Sequence, residues 1–122
     1  MTLTEHDIGS IEDFESGRPY SITVGGKALV LIRKGDQFFA MRDACPHAGA
    51  RFSDGQVIGT SSADKPGEEI DYCRIGEIIS CPWHGWEFDV TTGKSLTRPD
   101  RVRVRTYLVK VVKNRLIISQ AS

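Results

Sequence analysis

The stretch KALVLIRKGDQFFAMR, residues 27–42, decides the fold class. Its first half, Lys27–Lys34, is rich in the aliphatic and β-branched residues that strands favour. The pair Gly35 and Asp36 then offers a tight turn before a second apolar run, Gln37–Arg42. This pattern predicts a β-hairpin.

The segments on either side of the hairpin have the same character. Further strands are predicted at residues 8–11, 20–24, 102–111 and 115–119. Residues 11–17 could form a helical turn at most, and no stretch of about twelve residues shows a helical period. We therefore predict an all-β fold, a small antiparallel β-sandwich or barrel.

Length and charge narrow the class of protein. A chain of 122 residues fits one domain, residues 1–122, and 16 basic residues balance 16 acidic ones. That balance gives no excess of positive charge of the kind that binds nucleic acid or an anionic membrane surface. The longest apolar runs are too short to span a bilayer, and the N-terminus does not resemble a signal peptide. We expect a cytoplasmic protein, with a monomer favoured.

The middle of the chain differs from its ends. Residues 44–55 and 79–93 contain two of the three cysteines and two of the three histidines. Between them, residues 56–77 are polar and contain glycine, and we expect an inserted, irregular loop there. Cys73 lies in that segment and is interpreted as a small residue or, alternatively, as a redox-active thiol.

Two short loops, CPHAG at residues 45–49 and CPWHGW at residues 81–86, each offer one thiol and one imidazole. Proline fixes the backbone after each cysteine, and glycine lets the chain pass close to a bulky centre. Three interpretations are open: buried cysteines with no ligand role, a structural zinc site, or an iron–sulfur cluster. In the last two, the ligands are Cys45, His47, Cys81 and His84.

The paired spacing Cys-x-His and Cys-x-x-His resembles the signature of the Rieske family, as does the continuation HGWEFD at residues 84–89. The resemblance implies the Rieske fold with a two-loop cluster-binding subdomain and one 2Fe–2S cluster. By the same resemblance, Cys45 and Cys81 bind a buried iron. His47 and His84 would bind the second iron, nearest the surface.

The resemblance also bears on the redox potential. Family members of the respiratory complexes carry a disulfide where this chain has Ala50 and Trp83. They carry a serine and a tyrosine, both hydroxyl donors, where it has Trp86 and Phe88. Without those donors the reduced cluster is stabilised less, so we expect a potential below about 0 mV and near −150 mV, the low end of the Rieske range.

The resemblance implies a function in electron transfer rather than catalysis. Once the cluster uses His47 and His84, only His6 remains, too few histidines for the mononuclear iron site of an oxygenase. We expect a stand-alone Rieske-type ferredoxin that passes single electrons from a reductase to a terminal oxygenase or similar enzyme. The alternatives are a small reductase subunit of the nitrite reductase type and a non-redox zinc-binding module.

A basic run lies outside both motifs. It consists of Arg98, Arg101, Arg103 and Arg105. The run could contact an acidic partner, and a solvated strand face explains it equally well.

Overall fold

The computed structural model describes residues 3–46, 50–62, 71–82, 86–96 and 102–121. Its strands in those ranges are β1 (Leu3–Ser10), β2 (Pro19–Val24), β3 (Lys27–Lys34), β4 (Gln37–Arg42), β5 (Gln56–Ser62), β6 (Asp71–Ser80), β7 (Glu87–Asp89), β8 (Thr106–Val112) and β9 (Arg115–Ala121). The predicted hairpin is confirmed as β3 and β4, with Lys34 opposite Gln37. Gly35 has a φ of 59°, a conformation that suits glycine at a tight turn.

Six strands form one antiparallel sheet in the order β1-β9-β8-β4-β3-β2. Strand β3 is buried on both faces, which explains its unbroken apolar run. Leu29 and Leu31 belong to one core with Leu116 and Ile118 of β9. Their neighbours on β3 belong to a second core, so this sheet separates two apolar layers.

The second sheet has three strands in the order β5-β6-β7 and covers the second core. Val30 and Met41 of the large sheet pack there with Ile79 of β6 and Phe88 of β7. An ion pair between Lys34 of β3 and the half-buried Glu77 of β6 links the two sheets. The fold class predicted from the sequence, a small antiparallel all-β protein, is confirmed.

The region 56–77 is where the prediction of an irregular loop is wrong. Residues 56–62 and 71–77 belong to strands β5 and β6, which pair from Gln56 opposite Ser80 to Ser62 opposite Asp71. The register of this pair shifts between Ile58 and Thr60. Residues 63–70 lie outside the described residues.

Two further predictions, a helical turn at most within residues 11–17 and a strand at residues 102–111, hold in part. A single 3₁₀ turn, Ile11–Asp13, follows β1 and is capped by the Ser10 hydroxyl, which accepts from the Glu12 amide at 3.3 Å. The strand predicted at residues 102–111 begins only at Thr106. Its first part is an extended strap held by the Val104 amide, which donates to Gly93 O at 2.7 Å.

Ion pairs hold β1, the strand at one edge of the large sheet, against its neighbours. Arg115 of β9 makes two bonds to Asp7 of β1, at 3.0 and 3.1 Å, and this guanidinium holds the pKa of Asp7 below its usual range. Lys110 of β8 reaches across to Glu5. In the part of the chain that the structure describes, no helix has the length and apolar character needed to cross a membrane.

Candidate metal centre

Two loops, residues 45–50 and 81–86, open with a cysteine and close in the same way. The Cys45 amide donates to Ala50 O at 2.8 Å, and the Cys81 amide donates to Trp86 O at 2.6 Å. Each bond joins a cysteine to the residue five positions later, so both loops are six residues long. The proline after each cysteine has a fixed φ and no amide to satisfy, which favours the turn.

The two cysteines are buried in one apolar core. Cys45 is 1% exposed and Cys81 is 2% exposed, and both belong to the core that lies between the two sheets. The rings of Phe52 and Phe88 meet edge to face at 5.1 Å within that core. The structure therefore brings the two predicted thiol ligands to one water-poor region. His47 and His84 lie outside the described residues.

Strand β6 brings the two loops together. Its last residue, Ser80, pairs with Gln56 of β5 on one side and with Glu87 of β7 on the other. Gly55 precedes β5 and lies so close that a Cβ atom there would be 1.9 Å from Ser80 O. Only glycine allows this approach, which places the end of the first loop region beside the start of the second loop.

A buried carboxylate, Asp43, clamps the first loop. Its side chain has no exposed surface and accepts from the Ser53 amide at 2.8 Å and from the Ser53 hydroxyl at 2.6 Å. Arg51 Nε lies 3.5 Å from the same carboxylate, and Arg51 also donates to the Ser21 hydroxyl on β2. Asp43 thereby ties the chain before Cys45 to the chain after the loop.

The second loop is supported by backbone pairing. Strands β6 and β7 flank it and are paired at three positions, from Ser80 to Ile78. At the end of β7, Asp89 accepts from the Thr91 amide at 2.8 Å and from the Thr91 hydroxyl at 2.6 Å. The Gly93 amide donates to Asp89 O at 2.6 Å. This loop is therefore the tip of a β-hairpin with a second tight turn behind it.

Sequence reasoning named the cysteines but missed two supporting residues. Asp43 and Gly55 carry no motif, because their roles depend on Ser53 and Ser80, which become neighbours only in the fold. Gly55 precedes a segment that was predicted to be irregular, so no strand signal marked it.

The residues predicted to lie around the centre are placed as follows. Ala50 and Phe88 are buried with the cysteines, and the half-buried Trp86 stacks on Phe88 at 6.4 Å. Trp83 lies outside the described residues, and Cys73 lies outside the side chains that the structure describes.

The donor set fits an iron–sulfur centre and does not by itself exclude zinc. Within the described residues, no three His, Cys, Asp or Glu side chains form a metal-sized group. The described donors are the two buried thiols, and each loop contains one histidine in sequence. Soft sulfur combined with imidazole suits both iron and zinc, so the assignment depends on the family.

Comparisons with known proteins identify that family. The family model for the Rieske [2Fe-2S] domain matches residues 4–108. The anthranilate 1,2-dioxygenase ferredoxin subunit of Burkholderia cepacia is 31% identical over 119 residues, covering 97% of this chain and 94% of that protein.

Solved structures agree on the fold. A chain from the complex of reduced oxygenase and oxidized ferredoxin in carbazole 1,9a-dioxygenase is 28% identical, with a TM-score of 0.70, covering 93% of this chain and 99% of that one. A putative NADH-dependent nitrite reductase small subunit from Mycobacterium tuberculosis has a TM-score of 0.76, covering 100% and 99%, at 19% identity, which shows likeness of fold alone. The chain belongs to the Rieske family, and membership implies one 2Fe–2S cluster.

Proposed function

We propose that this protein is a one-electron carrier whose 2Fe–2S cluster is bound by Cys45, His47, Cys81 and His84. The observation that carries the proposal is the matched pair of loops, each closed by the same backbone bond and each opened by a buried cysteine. Two equivalent ligand platforms within one apolar core are what a cluster held from two sides requires. The chain 1–122 would act as a single domain.

Each part of the chain has a distinct task in this proposal. The cluster supplies a reversible one-electron couple when bound, and two imidazoles in place of two thiolates make that couple easier to reduce. Cys45 and Cys81 hold the sulfur side within the core, where Phe52, Phe88 and Val104 exclude water. His47 and His84 provide the nitrogen ligands on the opposite iron.

The partners are inferred from the relatives. The names of the relatives describe a ferredoxin subunit of a dioxygenase and a ferredoxin in complex with an oxygenase. The chain spans nearly the whole length of both, so it has the size of the carrier and not of the oxygenase. We propose that it receives electrons from a reductase and delivers them to a terminal oxygenase. The cytoplasmic location and the monomeric state stay predictions.

An EPR spectrum of the dithionite-reduced protein tests the ligands. Mixed histidine and cysteine ligation is expected to give a rhombic signal of low average g in a red-brown protein. His47→Cys, which exchanges an imidazole for a thiolate, should move the signal towards that of an all-cysteine cluster. A colourless protein that contains zinc would refute electron transfer.

A reductase subunit is the remaining alternative, and it has support at the level of fold only. Size-exclusion chromatography of the native protein separates the two roles. A carrier elutes near 13.5 kDa, its own mass, whereas a subunit elutes with its larger partner.

A further inference from the structure

A recess lined by arginines lies on the outer side of the core that contains the cysteines. It has a volume of about 440 Å³, and its lining consists of Thr92, Arg103, Val104, Arg105 and Thr106. We call it the basic recess. Val104 forms its floor and is itself buried in the core with Cys45 and Cys81.

Backbone bonds fix the arginines of the basic recess in place. The Val104 amide donates to Gly93 O, and Lys94 pairs with Arg103 in an antiparallel bridge. A Cβ atom on Gly93 would lie 2.0 Å from Val104 O, so glycine is required for this close approach. Because the side chain of Val104 points inward along an extended strap, the exposed Arg103 and Arg105 on either side of it face outward.

A third arginine strengthens the positive charge beside the recess. The Arg42 amide donates to Arg105 O at 2.9 Å, so these two residues are cross-strand neighbours. Two positively charged side chains that face each other across neighbouring strands repel. The guanidinium of Arg105 lies 5.2 Å from the ring centre of Tyr107, which holds it on an aromatic face.

The three arginines have no carboxylate partner among the residues that the structure describes. Five other described cations do: Arg18 pairs with Glu15, Lys34 with Glu77, Arg51 with Asp43, Lys110 with Glu5 and Arg115 with Asp7. In a chain with no net charge, the three neighbouring arginines form a local excess of positive charge. The recess shares Val104 with the core that contains Cys45 and Cys81.

We propose that the basic recess is the docking site for carboxylate side chains of a redox partner protein. This inference rests on the proposed electron-carrier function. Guanidinium groups bind carboxylates with two parallel hydrogen bonds, and a recess of this size accommodates one or two acidic side chains. A partner seated there lies against Val104, a residue of the core that also contains Cys45 and Cys81. A concave site on a neutral protein fits a protein side chain better than a flat anionic membrane.

The test uses fluorescein-labelled hexaglutamate as a probe for protein carboxylates, with binding followed by fluorescence anisotropy on the cluster-loaded protein. The double variant Arg103→Glu/Arg105→Glu is expected to bind at least about tenfold more weakly, because two attractive contacts become repulsive. The control Arg18→Glu/Lys113→Glu makes the same change in charge. Lys113 lies in the turn just beyond the far end of the seven-residue strand β8, about 20 Å from Thr106, and this control should change binding less than about twofold.

Three results would overturn the proposal: no binding by the wild-type protein in a low-salt buffer of about 0.01 M, equal loss in both double variants, or binding that does not weaken at about 0.3 M salt. A fourth is arginine-dependent binding to phosphatidylserine vesicles that hexaglutamate does not compete for, which would assign the surface to a membrane. The EPR signal of each variant is recorded separately. Its absence in the wild-type protein would refute the electron-carrier function, whereas a retained signal with unaltered peptide binding in Arg103→Glu/Arg105→Glu would refute the docking site alone.

Discussion

The two cysteine loops have the same closure and different supports. Loop 45–50 follows β4 of the large sheet and leads into β5 of the small one, so no pair of strands flanks it. Loop 81–86 is the tip of the hairpin formed by β6 and β7, and its ends are held by a backbone ladder. The first loop is held by side-chain hydrogen bonds among Asp43, Arg51 and Ser53, whereas the second loop is held by the backbone hydrogen bonds of its hairpin.

This difference shows how one kind of ligand platform can be built on two kinds of scaffold. A hairpin satisfies its own amides and carbonyls, and it therefore tolerates changes of side chain. A crossing between two sheets leaves those groups without a ladder, and a buried carboxylate can pair with the amides because it accepts several bonds at once. We therefore expect the first loop to be the more sensitive of the two to substitution.

The largest expected effect is common to both loops. Cys45→Ser and Cys81→Ser each remove a thiolate, and both should abolish cluster binding, because neither loop alone offers a second sulfur in the described core. Iron content and visible absorption after purification measure this. Cys73→Ser is the control, and it should retain a full complement of iron. Cluster retention in one of the two ligand variants would show that the loops are not equivalent platforms.

The second prediction compares the side-chain support of the first loop with that of the second. Asp43→Ala should lower the free energy of unfolding by about 3 kcal/mol, because it leaves the two half-buried donors of Ser53 without their shared acceptor. Thr91→Val removes one hydroxyl bond to Asp89 behind the second loop and should cost about 1 kcal/mol. Denaturant unfolding of both variants gives the difference.

Hydrogen exchange sharpens the same comparison. In Asp43→Ala, the Cys45 amide should exchange faster while the Cys81 amide keeps its protection, since the hairpin of β6 and β7 is untouched. Equal destabilisation by Asp43→Ala and Thr91→Val would contradict the view that the first loop depends more on side chains than the second.

The third prediction concerns the contact that joins the loops. Gly55→Ala should cost about 3 kcal/mol, because the new methyl group meets Ser80 O at 1.9 Å and one backbone must move. Gly26→Ala is the matched control: its φ of 80° strains an alanine, but nothing lies within 4 Å, so about 1 kcal/mol is expected. Thermal unfolding of the two variants compares these costs. Similar melting temperatures would show that the approach of the two loops is not tight.

Much of this architecture could be predicted from sequence because it depends on local patterns. The unbroken apolar run of β3, the Gly35 turn and the Cys-Pro openings of both loops each appear within a few adjacent residues. The fold class follows from such signals. The ligand roles of Cys45, His47, Cys81 and His84 stay predictions.

The features that escaped prediction depend on contacts between distant residues. The polar segment 56–77 was expected to be irregular, and it forms strands because β5 and β6 pair with each other. Asp43 has no local signature, since its partner Ser53 lies ten residues away beyond the loop. Residues 102–105 alternate as a strand does, but the strap pairs with Gly93 and Ser95 instead of continuing β8.

The smallest expected effect concerns the redox potential and a single hydroxyl group. Phe88, in β7 just after the second loop, is fully buried in the core with the cysteines and carries no donor. The wild-type protein should have a midpoint potential below about 0 mV, near −150 mV, and protein-film voltammetry measures it. A midpoint above about +100 mV would show that the missing donors do not set the potential.

Phe88→Tyr and Phe52→Tyr then compare the two loops directly. A hydroxyl that reaches the sulfur side stabilises the reduced state by about 1 kcal/mol, which raises the midpoint by about 40 mV. We expect this rise for Phe88→Tyr, where the related high-potential proteins carry a tyrosine. Phe52 is equally buried and meets Phe88 edge to face, but it follows the first loop, so Phe52→Tyr should leave the midpoint unchanged. An equal rise in both variants would mean that polarity of the shared core tunes the potential, and that the second loop has no special part in it.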